Sequence, residues 1–244
     1  MTHRLKKIVL ISFYLFCSAK IQAQHYLHLG LWTRVQLIRD LKKGWTNSSI
    51  LMWRRQDEMN DHKILSNPLM SGIQTQFSRL NKAEKLTINF AQITLMYSNQ
   101  LLGKDSDYLV PRNREFRWAS GLEFIQNPSE RLNLKERFMQ ELRFLSSNND
   151  KPVGRVRGRI VGRYELKPWV SAIGVSEIIF HDPPQLAGAS PLVRFSQLWF
   201  GGGLVWRLSE HVNFETSYTF ITNRRSSKVE FDDQNVFNAY LTIR

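Results

Sequence analysis

The chain has 244 residues, of which 42% are hydrophobic, 12% aromatic and 23% charged. That balance excludes a disordered chain and a helical membrane protein, and the aromatic content favours β structure. The net charge of +13 would suit an acidic partner, but the basic residues alternate with acidic ones along the chain instead of forming one stripe, which argues against nucleic acid.

The first residues carry a targeting pattern. Arg4, Lys6 and Lys7 precede an apolar stretch at 8–19, and Ile21-Gln22-Ala23-Gln24 follows with small Ala23 before a cleavage point. The apolar stretch is too short for a spanning helix, which needs about twenty residues, and fits a secretory signal peptide. We expect residues 1–23 to be removed on export and 24–244 to form one barrel domain. Bulky Phe16 ahead of Cys17 disfavours a lipoprotein. Cys17 is the only cysteine and would leave with the signal, so the mature chain has no disulfide and no thiolate metal site.

Period-two alternation runs through the rest. Weaker stretches at 29–41, 45–55, 69–80 and 86–101 come first. In the clearest segment Phe116, Trp118, Leu122 and Phe124 share one face while Glu115, Arg117 and Glu123 share the other. At 131–144, Leu132, Leu134, Phe138, Leu142 and Phe144 oppose Lys135, Arg137, Glu141 and Arg143. At 154–166, Val156, Ile160, Tyr164 and Leu166 oppose Arg155, Arg157, Arg159, Arg163 and Glu165. A helix would scatter Arg157 away from Arg155 and Arg159, whereas a strand aligns them. Further alternations at 169–180, 195–208, 211–222 and 235–244 complete eleven candidate strands.

Connections alternate between short ones, at Lys43-Gly44, Asn81-Lys82, Asn127-Pro128, Lys167-Pro168 and Ser209-Glu210, and long ones at 56–67, 102–114, 146–153, 181–194 and 223–234. Long strands joined in this rhythm predict an all-β fold, a single antiparallel up-and-down transmembrane β-barrel of about 10–12 strands. Bacterial single-chain barrels have even strand counts, so we expect ten or twelve, with one segment either lost or hidden.

Energetics then assign the faces. An arginine at the bilayer midplane costs about 2–4 kcal/mol, so the four on 154–166 must point inward. The expected lumen-facing charge ladder is Glu115, Arg117, Glu123, Lys135, Arg137, Glu141, Arg143, Arg155, Arg157, Arg159, Arg163, Glu165, Glu177 and Glu215, eight positive groups against six negative. Loop cations such as Arg112, Arg114, Arg224, Arg225 and Lys228 are expected to meet anionic lipid headgroups.

The stretches 113–118 (Asn-Arg-Glu-Phe-Arg-Trp), 136–144, 155–159 (Arg-Val-Arg-Gly-Arg), 176–180, 195–204 and 215–220 resemble the bacterial family catalogued as domain of unknown function 2490. The resemblance spans about residues 30–240 and implies an exported outer-membrane barrel without implying an activity. The chain departs from the barrel habit of ending on an aromatic residue, since Arg244 is last.

No hydrolase, metalloprotease, P-loop or dinucleotide motif occurs. Gly201-Gly202-Gly203 lies within an alternating stretch, where glycine serves curvature or close approach. We therefore expect no catalytic, cofactor-binding or metal residues, no cofactor and no enzymatic activity. The expected role is an integral outer-membrane barrel of a Gram-negative-type envelope, structural or narrow-pore, whose partners are outer-membrane lipid and the barrel assembly machinery. Two other readings are an outer-membrane hydrolase using loop pairs such as His181 with Asp182 or His62 with Asp61, and a soluble exported barrel binding a ligand in an apolar interior.

Overall fold

The computed structural model describes residues 24–57, 67–81, 85–99, 101–102, 105–109, 112–146, 152–181, 194–225 and 230–244. The proposed signal peptide lies outside these. Eleven strands form the body: β1 (Gln24–Asp40), β2 (Trp45–Gln56), β3 (Asn67–Asn81), β4 (Leu86–Ser98), β5 (Asn113–Ser129), β6 (Leu132–Leu145), β7 (Pro152–Lys167), β8 (Val170–His181), β9 (Arg194–Arg207), β10 (Val212–Arg224) and β11 (Glu230–Ile243). Consecutive strands pair antiparallel, and the sheet closes into a barrel where β1 meets β11 in parallel, from Gln24 opposite Glu230 to Leu37 opposite Ile243.

The eleven alternating segments are thus eleven strands, and the expectation of an even count does not hold. An up-and-down barrel with an odd number of strands can satisfy every edge only if one neighbouring pair runs in the same direction. The β1–β11 seam supplies that pair. Both strands also start earlier than their hydrophobic pattern suggests, because the paired stretches at their beginnings carry His25, His28, Asp232 and Asp233 in place of apolar residues.

Local irregularities explain where alternation is weak. In β4 the register with β3 shifts so that Ser78 faces Asn89 while Phe77 faces Ala91, leaving Phe90 as an extra residue. The bulge keeps both Asn89 and Gln92 buried on the inner side and Phe90 exposed. β5 runs on through Asn127-Pro128, expected to be a turn, with the turn following at 130–131. Proline is tolerated there because the β5–β6 ladder is interrupted between Gln126 and Ser129. At the β1–β2 connection Lys43 and Gly44 adopt φ of 59° and 77°, the left-handed conformation for which glycine has no steric penalty.

The two faces are sharply different. Large apolar side chains point outward all round the barrel, including Leu27, Ile73, Leu95, Phe138, Ile160, Phe200 and Phe237, each at least half exposed. Outward aromatics gather near both rims, with Trp169 stacked on Trp206 and Trp45 tilted against Phe90 at the short-turn rim and Phe116 beside Phe144 at the other. The inner face carries the charged and polar groups together with apolar side chains such as Met70, Met139, Ile179 and Val205, and a small apolar cluster of Trp32, Ile221 and Val236 with Trp199 and Tyr240 packed against it.

Candidate functional site

Because side chains alternate across each strand, the inner residues of all eleven strands converge on one lumen. It holds a cavity of about 630 Å³. Of the expected ladder, Glu115, Arg117, Glu123, Lys135, Arg137, Arg143, Arg155, Arg157, Arg159, Glu177 and Glu215 line this cavity, and Glu141 is buried among them at 2% exposure. Arg163 and Glu165 stand apart toward the short-turn rim, where Glu165 is exposed and Arg163 lies within electrostatic reach of Glu165, Glu215, Arg207 and Arg244.

The wall formed by β5 to β8 is an ion-pair lattice. Glu115 accepts a hydrogen bond from Arg143 Nη2 at 2.8 Å and lies 2.9 Å from Arg117 Nη2. Arg117 reaches on toward Glu141, 3.8 Å away. Glu141 is held by Arg155 and by Arg157 Nη1 at 2.8 Å, and Arg157 in turn holds Glu177. Glu123 pairs with Arg137, whose Nε is 2.8 Å from Oε2, and lies 3.8 Å from Lys135. These contacts follow from register: Arg117 faces Arg143, Glu141 faces Arg155 and Glu177 faces Arg159 across neighbouring strands. Like charges in a facing pair are separated by carboxylates one step along the ladder, which turns a repulsive pairing into a connected network.

The wall formed by β9, β10, β11, β1 and β2 carries arginines that the hydrophobic pattern does not single out. Arg54 lies 3.5 Å over the Trp32 ring and 5.9 Å from that of Trp199, while Arg34 lies 4.1 Å over Tyr240. Trp32 and Trp199 meet edge-on at 5.3 Å. Tyr240 donates its hydroxyl proton to Asn238 Oδ1 at 2.7 Å, and Asn238 donates to Thr219 at 2.9 Å, which fixes the ring beneath Arg34. The readable signal was alternation of Trp32 with Arg34 on β1, obscured because neither neighbour strand repeats it.

A third cluster sits at the rim of the long connections. Arg225 donates to Asp232 Oδ1 at 2.8 Å from Nε and forks onto Asp107 at 3.1–3.2 Å, with its guanidinium 4.4 Å over Tyr26. His28 Nε2 is 2.9 Å from the same Asp232 oxygen. Arg225 is therefore buried and paired, contrary to its expected place among surface cations, because two carboxylates meet it there. Burial opposes its charge, but the hydrogen bonds and charges of Asp232 and Asp107 outweigh that and raise its pKa above the usual arginine range. Asp107 comes from a short 3-10 turn, Asp105–Leu109, in the β4–β5 connection, so this contact ties that connection inward across the mouth.

Among the described residues no group of three or more His, Cys, Asp or Glu side chains is placed to hold a metal. His181 is the last residue of β8 and, instead of occupying a loop beside an acid, it faces Arg143 Nη1 at 3.3 Å. Asp182, Asp61, His62 and Lys228 lie outside the described residues.

A closed barrel with an ionic interior and an apolar, aromatic-rimmed exterior is the class this geometry defines. Within it, the chain belongs to the family described as protein of unknown function DUF2490, whose model matches residues 29–232. No curated protein matches the chain.

Proposed function

We propose that the protein is exported and resides in the outer membrane of a Gram-negative-type envelope as an integral barrel with a largely filled lumen, serving a structural or narrow-pore role without enzymatic chemistry. The observation that carries this reading is sidedness: apolar side chains outside, charges inside. A soluble barrel with an apolar interior would have the reverse arrangement, because exposing a continuous apolar surface to water is unfavourable. Strand length agrees. The shortest strands, β2 and β8, have 12 residues, which at about 3.3 Å per residue and a tilt near 45° rise about 28 Å, against an apolar band of about 25 Å. Aromatics at both rims match the interfacial girdles of such barrels.

On this reading the partners are outer-membrane lipid and the assembly machinery that inserts barrels, not nucleic acid. The test is envelope fractionation followed by a urea wash, with electrophoretic migration compared before and after boiling. Retention in the washed outer-membrane fraction and a heat-shifted band are expected. Release by urea, or recovery as a periplasmic protein, would overturn the assignment.

A further inference from the structure

Arg34 and Arg54 form no ion pair among the described residues; their stabilising contacts are the rings of Tyr240 and Trp32. They occupy diagonal positions on paired strands, since Arg34 faces Met52 and Trp32 faces Arg54, which sets their Cβ atoms about 7–8 Å apart.

The way they are held matters chemically. A guanidinium lying flat on a ring uses its face and keeps its edge N–H donors for a planar or tetrahedral oxyanion. Arg34 Nε is a buried donor without an acceptor. Glu177 is held by Arg157, and Glu215, which faces Tyr240 from β10, accepts a hydrogen bond from Ser217 at 3.1 Å. On β9, Gly201 lines the cavity, and its lack of a Cβ lets the β10 backbone at Tyr218 and Thr219 approach closely. The cavity volume of about 630 Å³ falls within the range of about 300–1,000 Å³ typical of small-molecule sites.

We propose that this half of the lumen is a binding site for an oxyanion, a phosphate or carboxylate group on a small solute, with Arg34 and Arg54 gripping the anion. The site deepens the barrel reading by giving the lumen a ligand, but it does not depend on the barrel lying in a membrane. Binding in detergent and envelope fractionation can therefore fail separately.

The test uses the full-length protein, expressed with its own N-terminal segment and purified in detergent. Inorganic pyrophosphate and citrate are titrated in parallel, with glucose as a neutral control, while calorimetry and tryptophan fluorescence are followed. Saturable single-site binding of at least one oxyanion is expected, weakening as salt rises, with no response to glucose. The tighter arm tells whether phosphate or carboxylate is the recognised group. R34Q and R54Q should each weaken binding by at least about tenfold, and W32F should weaken it less, because it keeps a ring, though a smaller one, beneath Arg54. Arg39→Gln, at an exposed position, should leave binding unchanged. A heat-shifted band for each variant shows that the barrel has formed, and W32F serves if an arginine variant does not fold. Absence of binding for both oxyanions, or equal affinity in R34Q, R54Q and the unmodified protein, would overturn the proposal.

Discussion

On β5 to β8 each buried carboxylate is gripped by arginine, whereas Arg34 on β1 and Arg54 on β2 lie on aromatic rings and form no ion pair among the described residues. The same cation is therefore used in two ways within one lumen. In the lattice its charge is consumed: Glu141, 2% exposed, would be untenable without Arg155 and Arg157. On the aromatic wall its charge is kept available, and the ring supplies the contact that a carboxylate would otherwise provide. The difference teaches that a charged interior is not uniform filling; one side closes on itself and the other can accept a partner.

The contrast predicts effects of very different size. Replacing Arg157 and Arg159 together by Ser leaves Glu141 and Glu177 short of counter-charge, and removing one member of a buried pair costs about 3–5 kcal/mol. A fall of that size in urea-unfolding stability is expected, while an unchanged midpoint would mean that the lattice is solvated and the contrast empty.

The outer face of the same strand sharpens the point. Ile160, 54% exposed, neighbours Arg159 on the opposite face, and Ile160→Arg should lower folding stability in lipid vesicles by about 2–4 kcal/mol. The same substitution in a barrel surrounded by water would cost little, so this measurement separates the membrane reading from a soluble one.

Asp107→Asn removes the charged fork from Arg225 at the mouth, worth about 1.5–3 kcal/mol as a charge-assisted contact. The barrel should remain folded, and planar-bilayer recordings should change from nearly silent to frequent openings as the β4–β5 connection is released. Large unselective conductance in the unmodified protein would refute the filled lumen altogether.

The smallest effect is expected at Arg54→Gln, about 0.5–1 kcal/mol from the lost stacking. A loss as large as that of the Arg157 variant would show that the aromatic wall is as structural as the lattice.

Much of this was legible in the sequence. Period-two alternation locates eleven segments, and the cost of arginine in lipid points the arginines of β7 inward from sequence alone. Strand parity was not legible, because the partner of β1 lies about two hundred residues away and the seam begins with His25 and Asp233, which carry no hydrophobic signal. The bulge at Phe90 blurred β4 by shifting its faces by one residue. The contact between Asp107 and Arg225 joins two connections far apart in the chain, and no local pattern encodes such a meeting. Arg34 and Arg54 escaped notice for a related reason. Their role is defined by rings on β1 and β11, not by charges repeated along their own strands.

The parallel seam has a geometric consequence for the ends of the barrel. With eleven crossings the polypeptide does not return to the rim where it began: Gln24 lies beside Glu230 at the rim of the long connections, while Arg244 is hydrogen-bonded to His211 at the rim of the short turns. A domain, tag or tether joined ahead of Gln24 is presented next to Asp107 and Arg225, and one joined after Arg244 is presented on the opposite side. The barrel is in this sense a through-connector, able to display one attachment on each side of whatever layer surrounds it.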